Sequence, residues 1–381
     1  MAPWVFGNPP RPLALHPFSH PRGTVLMKRL LLLVLLLISS PSWGQEKTLN
    51  IYNWTDYIDP KMLEQFTTET GIKVRYDVFD SLETLEAKLL AGHSGYDIVT
   101  PSNEPTFSRL IRAGALTPID RALVPNWDKL DPALMRRVES SDPGNKHGAI
   151  YLWGTMGLGV LPDKIKALAP DAPLDSWDLL FKPENARRIA PCGITMMDSA
   201  IDVIPSVLKF LGLPPDSNEP KDLAEVEKAL LAIRPHIRVF ANGGALEALA
   251  TGQTCLAFDY SGDVTQAAVR AAEAKQGVTV RYIAPKEGVE VGFDMIAIPA
   301  GAAHKAEAHA FINFVLRPEI MARITAATHY PNAVPASQAL LADTSMFPSE
   351  VERARFFTIG PVPQAAERIR TRLWARFKAG N

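Results

Sequence analysis

The chain has 381 residues, 47% hydrophobic and 21% charged, with 40 basic and 41 acidic side chains and a net charge of −1. This is ordinary globular composition, long enough for two domains, and it excludes a disordered or low-complexity chain. It also lacks the basic excess expected of a nucleic-acid-binding protein.

The N-terminus is the first segment with a signature. Met27-Lys28-Arg29 precedes the apolar run Leu30 to Ile38, and Ser39, Ser40, Pro41, Ser42 and Gly44 follow. This pattern predicts a secretory signal peptide cleaved after Gly44, with residues 1–26 an upstream extension and Met27 the true start. The apolar run is shorter than the roughly 20 residues that span a bilayer. No cysteine stands at the cleavage position, so no lipid anchor is expected. Four basic residues and no acids lie in 1–44, which leaves the remainder at −5. A mildly acidic exported protein suits cationic guests.

The remaining chain alternates strand and helix. Leu49 to Tyr52 reads as a strand and runs into Asn53-Trp54-Thr55-Asp56-Tyr57, an amide, indole, hydroxyl, carboxylate and phenol in succession. Pro60 suits the first turn of the next helix. Asp56 is either part of a cation-binding cluster or a helix N-cap. Strands follow at Ile72–Val78 and Tyr96–Thr100, with helices at Met62–Thr70, Leu82–Leu90 and Phe107–Arg112. Asp80 and Glu83 have the spacing of a capping box for the Leu82 helix. Such alternation predicts a parallel sheet covered by helices.

After a Pro-rich stretch, Ala149–Leu152 and Met156–Leu161 read as two strands, and Gly157-Leu158-Gly159 as a tight turn. A second series then places strands at Cys192–Met197, Ile237–Phe240, Cys255–Tyr260, Val278–Ile283 and Val291–Ile298. Helices lie between and after them, ending with a basic amphipathic helix at Ala366–Phe377 that docks on the body. The chain passes between two blocks more than once, which favours two lobes joined by crossover strands.

Enzymatic signatures are missing: there is no HExxH, Walker lysine loop, GxSxG or CxxC. No cofactor is expected. His304 and His309 are five apart, share no helix face, and are expected to be solvated. Cys192 and Cys255 are the only cysteines. In an exported chain they are expected as a disulfide, two buried thiols being the alternative.

What recurs is an acid or aromatic residue just past a predicted strand. Trp54, Asp56 and Tyr57 follow the first strand and Ser102 the third. Asp198 and Asp202 follow the Cys192 strand, and Tyr260 and Asp263 end the Cys255 strand. Asp294 interrupts the Val291 strand, and Tyr330 lies in a later loop. Ligands of open α/β sheets bind at that edge.

These segments carry a resemblance. IYNWTDYIDP, ETGIKVRYDVFDSLETLEAKLLAG, YDIVTPS, DSWDLLFKPEN, LAFDYSGDVTQA, IAPKEGVEVGFDMIAIPA, THYPNA and RIRTRLW occur in order over nearly all of the chain from residue 46. Together they resemble the periplasmic polyamine-binding proteins of ABC transporters, above all the putrescine-binding type. The resemblance implies an α/β, two-lobed periplasmic binding protein type II fold with crossover hinge strands that closes on its ligand. Lobe 1 would comprise 45–151 and 281–318, and lobe 2 would comprise 152–280 and 319–381. It implies a ligand set of Trp54, Thr55, Asp56, Tyr57, Ser102, Asp202, Tyr260, Asp263, Asp294 and Tyr330, and a Cys192–Cys255 disulfide. Asp263 and Asp294 would meet one ammonium, and Asp202 with the Ser102 region the other. Tyr260, Trp54 and Tyr330 would sandwich the methylenes.

Several positions depart from the family pattern. Tyr260 stands for a usual Trp, Gly292 for a frequent aromatic, Thr55 for Ser and Asp202 for Glu. Glu104 is a possible extra acid. A roomier site follows, which leaves spermidine, agmatine and cadaverine open beside putrescine. The expected protein is a monomeric periplasmic receptor that delivers its amine to an inner-membrane permease. The alternatives are a same-fold receptor for another small solute, a degenerate regulatory receptor, and an exported hydrolase with an unrecognised site.

Overall fold

The computed structural model describes residues 47–241, 245–360 and 362–380. The expected signal peptide, its cleavage after Gly44 and the start at Met27 lie outside the described residues. Among the described residues no helix is long and apolar enough to cross a membrane.

The first half of the sheet begins with β1 (Thr48–Trp54), parallel to β2 (Lys73–Phe79) on one side and β3 (Ile98–Val99) on the other. β4 (Leu116–Thr117) lies at its border. β5 (Gly148–Val160) is a single 13-residue strand, buried along its whole length. β6 (Ile194–Met196), β7 (Val239–Phe240), β8 (Leu256–Tyr260) and β9 (Arg281–Ile283) build the second half around the end of β5. β10 (Val289–Pro299) returns antiparallel to β5, and β11 (Phe356–Phe357) pairs its start. The main path is β2-β1-β3-β10-β5-β8-β6-β7.

β5 replaces the two strands expected at Ala149–Leu152 and Met156–Leu161 and the tight turn expected at Gly157-Leu158-Gly159. The glycines act as spacers there. A Cβ on Gly154 would press on the Tyr330 ring at 3.0 Å, and Gly159 lies against Leu249 and Val264. The lack of a side chain therefore permits close approach rather than chain reversal.

Two hydrophobic cores flank the crossover. The first contains Leu49, Ile51, Phe66, Trp153, Phe293, Phe311 and Phe314. The second contains Met156, Trp177, Phe181, Phe258, Leu373 and Phe377. β5 changes core between Trp153 and Met156, and β10 between Val289 and Val291. A fully buried Phe contributes about 1.5–3 kcal/mol, so each half is held by its own apolar burial.

The cores do not divide at 318/319. The helix Pro318–Thr328 packs Ile320, Met321 and Ile324 into the first core, followed by Tyr330 and Val334. Further on, the C-terminal helix, Gln364–Ala379, joins the second core through Leu373, Trp374 and Phe377. It is docked by polar contacts as well. Trp374 Nε1 donates to Asp198 at 3.0 Å and Lys378 Nζ to the same carboxylate at 2.5 Å.

Local capping explains several boundaries. Asp59 caps the helix Pro60–Thr70, Pro60 takes its first position, and Gly71 closes it at φ +72°. Ser81, not an Asp80–Glu83 box, caps Leu82–Leu90 by accepting from Thr84 N–H. The two histidines expected to be solvated are engaged. His309 is 6% exposed and joins Asp120 N–H to Lys305 carbonyl. His304 binds buried Asp97 through Nδ1 at 3.0 Å. Cys192 and Cys255 form a disulfide between the approaches to β6 and β8.

Candidate ligand-binding site

Asp294 sits on β10, where the register with β5 shifts between Asp294 and Met295. Such irregularities re-aim side chains. Ser102, just past β3, forms a bridge with Asp294. Ser102 Oγ and Tyr57 Oη donate to the two Asp294 oxygens, each at 2.6 Å. The Tyr57 main chain is held in turn, its carbonyl accepting from Tyr151 Oη at 2.8 Å. Burial pushes the Asp294 carboxyl up to about 6, against the lowering effect of the Ser102 and Tyr57 bonds, and Asp202 adds repulsion.

The second half contributes the other acids. Ser199 caps the helix Ala200–Phe210, so Asp202 lies in its first turn. Asp202 is buried and accepts from Tyr260 Oη at 3.2 Å. Burial raises its pKa against the Ser199 and Tyr260 bonds, and Glu83 adds repulsion. β8 ends at Tyr260, and Ser261–Ala274 follows at once as a helix with Asp263 in its first turn. Asp263 accepts from Tyr330 Oη at 2.9 Å. Its pKa is raised by burial and by Asp56, with Tyr330 and Arg270 acting the other way.

Tyr330 bridges these groups. Its ring meets Tyr57 edge-on at 5.1 Å while its hydroxyl holds Asp263. A Cβ at Gly262 would overlap that ring, so glycine there lets Tyr330 lie over the start of the Ser261 helix. Burial and neighbouring carboxylates push the Tyr57, Tyr260 and Tyr330 hydroxyls well above their ordinary range. All three stay protonated and can donate.

The structure thus gathers Tyr57, Ser102 and Asp294 into one group, Tyr260 with Asp202 into a second, and Tyr330 with Asp263 into a third. Ser102 serves Asp294, not Asp202. Trp54 packs on Phe79 with ring centroids 4.5 Å apart, and its buried indole N–H, which closes no full hydrogen bond, helps to lower the Asp294 carboxyl. Thr55 and Asp56 are exposed. Asp56 has a left-handed backbone at φ +54° and is not the helix cap, a role taken by Asp59. Glu104 is tied up locally, its two oxygens accepting from Ser108 and Ser141 at 2.6 Å each.

Asp259 was not singled out by the sequence. It lies two residues from the phenol–helix junction, is 4% exposed, and accepts the Tyr260 N–H at 2.8 Å. Burial first and Asp263 second push its pKa well up. The available signal was an acid interrupting the apolar run Leu256-Ala257-Phe258.

Among the described residues no Lys or Arg forms an ion pair with Asp202, Asp259, Asp263 or Asp294. Buried carboxylates without a counter-charge are costly. The arrangement therefore favours a positively charged guest with hydrogen-bond donors. Among the described residues, no three His, Cys, Asp or Glu side chains are arranged to hold a metal ion.

Comparison with known proteins agrees. Residues 61–353 match the family model of the bacterial extracellular solute-binding proteins. The putrescine-binding periplasmic protein SpuD of Pseudomonas aeruginosa is 47% identical over 343 residues, 88% of this chain and 93% of the relative. The putrescine-binding periplasmic protein PotF of Escherichia coli is 43% identical over 344 residues, with the same coverage of 88% and 93%. A spermidine/putrescine ABC transporter substrate-binding protein of Streptococcus pneumoniae superposes with a TM-score of 0.74 at 28% identity, covering 88% of this chain and 99% of that one. The two-lobed α/β architecture is that of these receptors, which are not enzymes. The chain belongs to the bacterial extracellular solute-binding proteins, in the family of the periplasmic polyamine-binding receptors of ABC transporters.

Proposed function

We propose that this protein captures a linear polyamine between its lobes and delivers it to an inner-membrane ABC permease. The carrying observation is the convergence of carboxylates without an ion-pair partner on one region: half-buried Asp294 from the crossover strand, and buried Asp202 and Asp259 with half-buried Asp263 from the second half. Each ammonium of a diamine needs a counter-charge when it leaves water, and a charge-assisted hydrogen bond contributes about 1.5–3 kcal/mol. We assign the ligand contacts to Trp54, Thr55, Asp56, Tyr57, Ser102, Asp202, Tyr260, Asp263, Asp294 and Tyr330. In this reading the phenol hydroxyls hold the carboxylates, and the aromatic faces cover the methylenes.

The lobes would close about β5 and β10, the strands that change core. Each lobe supplies part of the site, so binding and closure are coupled. The receptor would be exported through its N-terminal segment, act in the periplasm and work as a monomer. The relatives above, named for putrescine or for spermidine and putrescine, support an amine as ligand.

A thermal-shift panel of putrescine, cadaverine, agmatine and spermidine tests this. At a hundredfold excess over the dissociation constant a ligand stabilises by about 2.7 kcal/mol. At least one amine should raise the melting temperature, and a flat response across the panel contradicts the assignment.

A further inference from the structure

Side chains alternate along a strand, so Glu290, Gly292 and Asp294 share one face of β10. Four residues place the two acids about 13 Å apart along the strand. Glu290 is 4% exposed, and its Oε2 has no hydrogen-bond partner. A buried carboxylate oxygen in that state needs explaining. Asp202 repels both Glu290 and Asp294, which puts it within electrostatic reach of each. Between the two acids, Gly292 leaves space. The nearest atom to a Cβ there would be Met156 Cε at 3.4 Å, with nothing else within 4 Å.

One cation lies near Glu290. Burial first and Asp202 second push the Glu290 carboxyl well above its ordinary range, and Arg370, on the C-terminal helix, acts against them. It is directed elsewhere, however: one terminal nitrogen donates to the Ser217 carbonyl at 3.0 Å, and its buried Nε has no partner. Among the described residues no ion pair joins it to Glu290 within 4 Å. Glu290 therefore offers a buried carboxyl with an unused acceptor, free of an ion pair, at the far end of a strand face that also bears Asp294.

We propose that the ligand site continues along β10 past Gly292 to Glu290, which forms a third cation subsite, so that the preferred ligand is a linear triamine rather than a diamine. This rests on the amine-receptor reading and extends it. Gly292 keeps the track open, Asp202 flanks it, and Glu290 meets the ammonium that a diamine lacks.

Calorimetric titration of the wild type, Glu290→Gln and Gly292→Leu with putrescine and with spermidine tests the extension. The wild type should bind spermidine at least tenfold more tightly than putrescine. Glu290→Gln should lower spermidine affinity tenfold or more while putrescine affinity stays within twofold. Gly292→Leu should reproduce that selective loss by filling the track, an independent check should Glu290→Gln fold poorly. Equal losses for both amines, or a fall in melting temperature with unchanged affinities, would make Glu290 a structural companion of Arg370 and overturn the proposal. Putrescine binding without any triamine preference removes the third subsite alone. Absence of heat with either amine in the wild type removes the receptor reading too.

Discussion

Replacing Asp294 by asparagine removes a charge and keeps the side chain's shape. The unliganded protein holds this carboxyl at a pKa of about 6 through burial. The gap from an ordinary aspartic acid near 3.9 corresponds to about 3 kcal/mol of strain in the ionised fold at pH 7. Asparagine relieves that strain. Its single carbonyl oxygen accepts from only one of the Ser102 and Tyr57 hydroxyls, a loss of about 1 kcal/mol. The net expectation is a gain of about 2 kcal/mol in the stability of the free protein. Amine affinity should move the other way, falling at least tenfold, or about 1.4 kcal/mol. Denaturant unfolding and calorimetric titration of the same preparation measure both. A free protein destabilised by more than about 1 kcal/mol, with affinity intact, would make Asp294 a structural residue and refute the reasoning.

Acidification should show the same opposition in the wild type. The Asp294 pKa in the fold lies above its unfolded value, so the folded state binds more protons between pH 6 and about 4. This group therefore adds stability as pH falls through that window, while the affinity for a cation declines. Melting curves and titrations at pH 7 and pH 5 check both, and an affinity unchanged between them would contradict the carboxylate assignment. Gly262→Ala should displace the Tyr330 ring and weaken amine binding tenfold or more by calorimetry, because the added methyl overlaps that ring. Tyr330→Phe should cost a few-fold in affinity through the freed Asp263 carboxylate, and an affinity equal to wild type would place Tyr330 outside the site. Cys192→Ala with Cys255→Ala opens a link across 63 positions and should lower unfolding free energy by about 2–4 kcal/mol in denaturant titrations. A loss below about 0.5 kcal/mol would show that the bridge adds nothing to stability.

Strand and helix order was legible because apolar periodicity reports it locally. The acids and phenols near strand ends were legible for the same reason: Tyr260 and Asp294 fall where a strand stops or bends, and Asp202 and Asp263 in the first turn of the helix that follows a strand. Gly157 and Gly159 were misleading, since a glycine that admits the Tyr282 hydroxyl or the Leu249 and Val264 side chains looks in sequence like one that makes a turn. The division of the cores was also hidden. Ile320, Met321 and Ile324 form an apolar face suited to either core, and only the packed chain selects the first. Asp259 and Glu290 were obscure because each sits within an apolar strand, where the face an acid presents depends on both neighbouring strands. The buried role of His309 rests on Asp120, 189 positions away, a pairing that helix periodicity cannot register.

Titration with putrescine, 1-aminobutane and butane-1,4-diol, three guests of similar length, isolates charge at the two ends. The account predicts measurable binding of putrescine, at least tenfold weaker binding of the monoamine, and no heat from the diol. Equal affinity for the monoamine and the diamine, or binding of the diol, would contradict it.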